Sequence, residues 1–122
     1  MERILVCGGR DFADSAFLFG VLDMEAEQRH VARIIQGGAQ GADFLARMWC
    51  NTRFVSCMNF PADWSKHGKA AGPIRNQQMI DEGKPTKVFA FDGGRGTADM
   101  IRRAKAAGIP VFMFSLAGGA SE

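Results

Sequence analysis

Residues 3–12 read RILVCGGRDF, a short apolar run that stops on two glycines. A run of this length bounded by turn residues is the pattern of a strand buried on both faces. The pattern returns twice, in 32–42 (ARIIQGGAQGA) and in 87–97 (KVFAFDGGRGT). Two further runs, 53–58 (RFVSCM) and 110–114 (PVFMF), read as strands without the glycine turn. Helical stretches lie between them. Asp14-Ser15 can cap a helix whose apolar positions Phe17, Leu18, Val21, Leu22 and Met24 recur at helical spacing. The spacing predicts a second helix from about Ala42 to Cys50, with Phe44, Leu45 and Met48 on its inner face. Residues 59–72 are polar and rich in turn formers, which makes them the one long connection. Pro73 suits the first turn of a helix that runs on to Gly83, and a last helix is expected from Thr97 to Ala107, ended by Gly108.

Strands alternating with helices mean βαβ units, and so a parallel sheet with right-handed crossovers and helices on both faces. The expected fold is α/β: a single-domain, Rossmann-like, doubly wound parallel five-stranded sheet over residues 1–116, in the order 3-2-1-4-5. Residues 117–122 are expected to form a frayed tail. Folds of this kind bind ligands beyond the carboxyl ends of the strands, near the point where the strand order reverses.

Composition bounds the function. A chain of 122 residues fits one domain, and 47% apolar with 23% charged residues is ordinary globular usage. The net charge of +2 argues against nucleic acid as a partner. Cys7, Cys50 and Cys57 show no CxxC spacing, and His30 and His67 are the only histidines, so no zinc pattern or disulfide framework is expected. Each cysteine lies in an apolar run and reads as a reduced, buried small hydrophobe. No metal and no cofactor is expected. No run approaches the ~18–20 apolar residues of a membrane span, and the N-terminus does not read as a signal peptide. A cytoplasmic location, with no membrane partner, is the expectation. Glycine is the anomaly, at 15 residues where average usage predicts about nine.

Eight of those 15 glycines fall in the three turns: Gly8 and Gly9, then Gly37, Gly38 and Gly41, then Gly93, Gly94 and Gly96. Glycine lets a ligand approach the backbone, and the helix after each turn offers free N–H groups and a positive dipole end to phosphate or carboxylate. The order is neither GxGxxG nor GxxxxGK[ST], which argues against a dinucleotide oxidoreductase and excludes a P-loop ATPase. Around the turns, Arg10 and Asp11 either face a ligand or form a structural pair. Asp43 binds a ribose hydroxyl or caps its helix. Arg75, followed by Asn76, can pair with phosphate bidentately. Arg95 lies within the third turn, and Thr97 is read as the N-cap of the last helix. His67 is a candidate acid/base or merely exposed. Trp64 stacks on a base or packs the long connection onto the domain.

GGRDF, GGAQGAD, PADWSKHGKAAGPIRNQQM and DGGRGTADM with the closing GIPV together resemble the SLOG superfamily, and within it the YspA-type (cpYpsA-related) branch. The resemblance runs from Ile4 to about Phe114. It implies a Rossmann-like domain that binds nucleotides or nucleotide-derived molecules. Related proteins include the LOG-type phosphoribohydrolases, which cleave the N-glycosidic bond of nucleoside monophosphates, and the DprA proteins, which bind single-stranded DNA. Against the LOG pattern, Arg75 looks like the catalytic arginine, and Gly93, Gly94, Gly96 and Thr97 match the phosphate-cradling GGxGT. Asp92 stands where that pattern has proline, and Met100 where it has the catalytic glutamate. A carboxylate stabilises an oxocarbenium-like centre and a thioether does not. Asp99 is rotated about 100° from Met100 on a helix and is expected to point elsewhere. Asp11, Asp43 and Asp92 remain as candidate replacements, with His67 as a candidate acid/base.

The leading expectation is a module that binds a nucleotide or nucleotide-derived small molecule at the glycine edge. The alternatives are a nucleotide N-glycosidase using Arg75 with a relocated carboxylate, and a binder of single-stranded DNA. Related domains self-associate, and Phe60, Trp64 and the aromatics of the first helix are the candidate surface for a homo-oligomer.

Overall fold

The apolar runs of the sequence become five short strands: β1 (Glu2–Cys7), β2 (Val31–Gln36), β3 (Ser56–Asn59), β4 (Lys87–Phe91) and β5 (Val111–Phe114). They form one parallel sheet in the order β3-β2-β1-β4-β5, in a computed structural model that describes residues 1–115. The tail expected at 117–122, and the domain end at 116, lie outside the described residues. Central strand β1 sets Leu5 beside Ile35 on one side and Val88 on the other, so its apolar run is enclosed in every direction.

Alternation along these runs divides the core in two. Ile4, Val6, Ile34, Phe89 and Phe91 face helices α1 (Ser15–Gln28) and α2 (Ala42–Arg53), meeting Leu18, Leu22, Ala46 and Trp49. Leu5, Cys7, Ile35, Val88 and Ala90 face helices α4 (Ala71–Gly83) and α5 (Arg95–Ala106), meeting Met79, Ile80, Met100 and Ala104. The short α3 (Trp64–His67) precedes α4. The expected strand order and both layers are present. Asp14 caps α1 through its side chain, which accepts the Phe17 N–H.

Several expectations are corrected. Phe44 and Met48 do not face the core: Ala42, Ala46, Trp49 and Cys50 do, and Trp49 donates its indole N–H to Asp23 of α1 at 2.8 Å. Small residues near the sheet let α2 approach closely; Leu45 packs against this core as expected, and Trp49 fills the space expected for Phe44 and Met48. Met24 is likewise exposed. Arg53 ends α2 rather than opening β3, and Phe54 caps the helix in a left-handed conformation with its ring in solvent. The long connection is not plain loop. Asp63 caps α3, a 3-10 turn follows over Gly68–Ala70, and α4 starts at Ala71, which puts Pro73 in its first turn as expected. Phe60, expected on an oligomer surface, is buried in the α4–α5 side of the core, and Phe17 and Phe19 are partly buried against the opposite side.

Candidate functional site

The turns after β1, β2 and β4 meet at the carboxyl edge of the sheet because glycine lets their backbones touch. The Gly9 N–H donates to the Asp92 carbonyl at 2.7 Å, and the Gly9 carbonyl accepts the Ala42 N–H at 3.2 Å. Gly41 has φ +77°, and a Cβ there would lie 2.1 Å from the Gly9 oxygen. A Cβ on Gly93 would lie 2.7 Å from the Gly9 nitrogen and 2.1 Å from Thr97 Oγ1. Gly41 and Gly93 are therefore the contacts between turns. They do not line the cleft that the turns enclose.

That cleft has a volume of about 750 Å³. Gly8, Gly9 and Arg10 line it from the first turn, Gly37, Gly38 and Asp43 from the second, and Gly94, Arg95, Gly96 and Thr97 from the third. Arg75 and Asn76 of α4 close the floor, and the segment between β3 and α4 contributes Trp64 and Lys69. Most residues singled out from the sequence are thus brought together. Asp11, Asp92 and His67 are not among the lining residues: Asp11 and Asp92 are exposed, and His67 sits at the end of α3.

A polar chain crosses the floor. The Asp43 carboxylate accepts the N–H groups of Gly37 and Ala39, both at 3.2 Å. Arg75 donates through Nη1 to the Gly37 carbonyl and through Nε to Asn76 Oδ1. Asn76 Nδ2 in turn donates to Asp99 at 3.0 Å and to the Gly96 carbonyl at 3.2 Å. Asp99 also pairs with Arg102 and Arg103. One buried asparagine therefore couples α4 to the first turn of α5. Burial pushes the Asp43 carboxyl above the usual carboxylate range, against the pull of the two N–H groups and the Arg75 charge. Burial opposes ionisation of Asp99 too, yet the bonds from Arg103 and Asn76 and the nearby cations outweigh it and hold that carboxyl below its usual value. Cys7 lines the cleft as a thiol, pushed up to about 12 by burial and by Asp43, which leaves it without nucleophilic thiolate.

The third turn departs from expectation at two residues. α5 begins at Arg95, capped by the Gly94 backbone with no side-chain cap, so Thr97 lies inside the first turn and is not the N-cap. The N–H groups of that turn lack intrahelical acceptors. Thr97 is 8% exposed and lines the cleft, and its hydroxyl has no hydrogen-bond partner among the described residues. Met100 is wholly buried under the sheet, and Asp99, expected to point elsewhere, lines the cleft. The stripe Thr97, Met100, Ile101 and Ala104 carries the signal that could have placed Asp99, because it turns Met100 inward and leaves its neighbour beside it.

Among the described residues, no three His, Cys, Asp or Glu side chains come together as a metal centre, and no helix is long and apolar enough to cross a membrane. The family described as YspA, cpYpsA-related SLOG matches residues 2–67. The gene 61 protein of Mycobacterium phage D29 is 35% identical over 122 residues, covering 93% of this chain and 97% of that protein. A crystal structure of glycinamide ribonucleotide transformylase 1 from Symbiobacterium toebii shares the fold, with a TM-score of 0.55 at 16% identity. The match covers 94% of this chain and spans 50% of the transformylase.

Proposed function

The chain belongs to the YspA, cpYpsA-related SLOG family, and from that premise we propose that it binds a nucleotide or nucleotide-derived ligand in the glycine cleft. The observation that carries the reading is the open N-terminus of α5, where Gly94, Arg95, Gly96 and Thr97 line the cleft and the Thr97 hydroxyl makes no hydrogen bond among the described residues. A hydroxyl on the cleft wall with its hydrogen-bonding capacity uncommitted can serve a ligand oxygen. The N–H groups and dipole of the same turn favour an anion there. Arg95, Arg10, Lys69 and Arg75 line the cleft and suit phosphate, and Asp43 suits a ribose hydroxyl.

Thr97→Val keeps the shape and removes the hydroxyl. The variant is expected to keep its melting temperature and to bind nucleoside monophosphates several-fold more weakly in calorimetric titration. Arg75→Ala should weaken phosphate-bearing ligands far more than nucleosides. Unchanged affinity in the valine variant, or equal losses for nucleotide and nucleoside in the alanine variant, would reject the phosphate role.

One observation favours a hydrolase as the second reading: Asp99 offers an ionised carboxylate at the cleft wall, one residue before the position where LOG-type enzymes carry glutamate. Its oxygens are already engaged by Asn76, Arg102 and Arg103, which places the binder first. Chromatography of nucleotides incubated with the protein separates the two. Recovery of intact nucleotide supports the binder, and free base at enzyme-like turnover that is lost in Asp99→Asn would establish the hydrolase.

A further inference from the structure

We infer that Trp64 forms a stacking subsite for a planar heterocyclic base, a step that rests on the nucleotide reading above and names where the base end of the ligand lies. Trp64 is 56% exposed, and among the described residues it is the only large, exposed hydrophobic side chain that lines the cleft. An apolar ring of this size standing in water at the lip of the cleft suits a partner with its own π face. The other tryptophan shows the contrast: Trp49 is 1% exposed, and its indole N–H is given to Asp23.

The lip holds the ring in place. Asp63 caps α3, accepting the Lys66 N–H at 3.1 Å and the Ser65 hydroxyl at 2.9 Å, which fixes Trp64 as the first helical residue. Gly72, in the first turn of α4, lies under the far edge of the ring, where a Cβ would be 3.4 Å from Cη2. The lack of a side chain at Gly72 therefore lets one edge of the indole lie close against α4. Its exposure and its place in the cleft lining leave ring surface open to a ligand. Phosphate at the α5 turn and the base at Trp64 would run the ligand from the Thr97 hydroxyl to the β3–α4 lip.

The test uses ribose 5-phosphate and the four ribonucleoside monophosphates, followed by calorimetry and by tryptophan emission, on the full chain, Trp64→Ala and Trp64→Phe. At least one monophosphate should bind more tightly than ribose 5-phosphate and quench emission, while ribose 5-phosphate binds without quenching. Trp64→Ala should weaken that monophosphate by at least about fivefold, from the strength of base–aromatic stacking, and ribose 5-phosphate by less than about twofold. Trp64→Phe should keep most of the affinity. Equal losses for both ligands in Trp64→Ala would show a lip role only and overturn the subsite. So would an unchanged affinity, or a wild type that binds ribose 5-phosphate as well as every monophosphate. If the wild type binds none of these ligands, the nucleotide reading itself falls, and the subsite with it.

Discussion

Gly96 stands in the first turn of α5 with nothing within 4 Å of where a Cβ would sit. Glycine inside a helix costs roughly 0.5–1 kcal/mol relative to alanine, and no neighbour here requires it. Its place in the cleft wall is the remaining reason for it. Gly96→Ala should accordingly stabilise the protein by about 0.5 kcal/mol while weakening phosphate-bearing ligands several-fold. Gly41→Ala should do the reverse to the fold: its φ of +77° and the Gly9 oxygen in the way cost about 1–3 kcal/mol or more. Chemical denaturation and nucleotide titration of the two variants check both statements, and a Gly96→Ala protein with unaltered affinity would remove Gly96 from ligand contact. Both glycines were legible as members of glycine turns. Which one faces a ligand and which one packs against backbone was not, because that depends on where the β1 turn sits relative to the other two.

Between elements, the decisive contact is Asn76. Its amide bridges Arg75 on its own helix to the Gly96 carbonyl and Asp99 on α5, at 5% exposure. Truncation to alanine removes three hydrogen bonds and leaves Arg75 and Asp99 each short of a buried partner, at a cost of about 1–3 kcal/mol. Asn76→Ala should also loosen Arg75 and the α5 turn together, so nucleotide affinity is expected to fall with stability even though the glycines and Thr97 are unchanged. Loss of stability with full affinity would confine Asn76 to the fold. Pro73 was readable as a first-turn residue, with Arg75 and Asn76 following within the first turns of the same helix, so these elements could be read from local chemistry. The orientation of α5 could not be read by matching Met100 to a catalytic glutamate. Burial of an apolar stripe fixes the rotation of a helix, and that stripe hides Met100 and brings Asp99 to the cleft. Likewise α2 turns on Trp49 and not on Phe44 and Met48, because the bond to Asp23 and the small residues beside the sheet set its approach.

For the whole molecule, strand order followed from the spacing of apolar runs, since parallel strands with helical crossovers leave few topologies. The lip over 59–72 carries no such period and could be read only as a connection. The same division of roles shapes the response of the folded chain to pH. Asp99 has a lowered pKa, so it contributes stability that is present above its unfolded value of about 4 and lost as pH falls through the folded value. Asp43 has a raised pKa, so the sign is opposite: its contribution is full below about pH 4 and is lost as pH rises through the folded value. The acid limb and the Asp43 limb meet near pH 4, which draws the stability maximum toward acid from the usual range of about pH 5–8. Asparagine at 43 keeps an oxygen for the Gly37 and Ala39 N–H groups and cannot ionise. Asp43→Asn is therefore expected to remove the decline above about pH 4 and move the maximum toward neutral pH. Asp99→Asn should lessen the acid limb without removing it, because the Glu2, Asp23 and Asp63 carboxyls are also held below their usual range. Melting curves from pH 3 to 8 on the three proteins check this. A decline that persists unchanged in Asp43→Asn would assign it to another group, and the buried carboxylate behind the second glycine turn would then carry no free-energy cost of ionisation for a ligand to relieve.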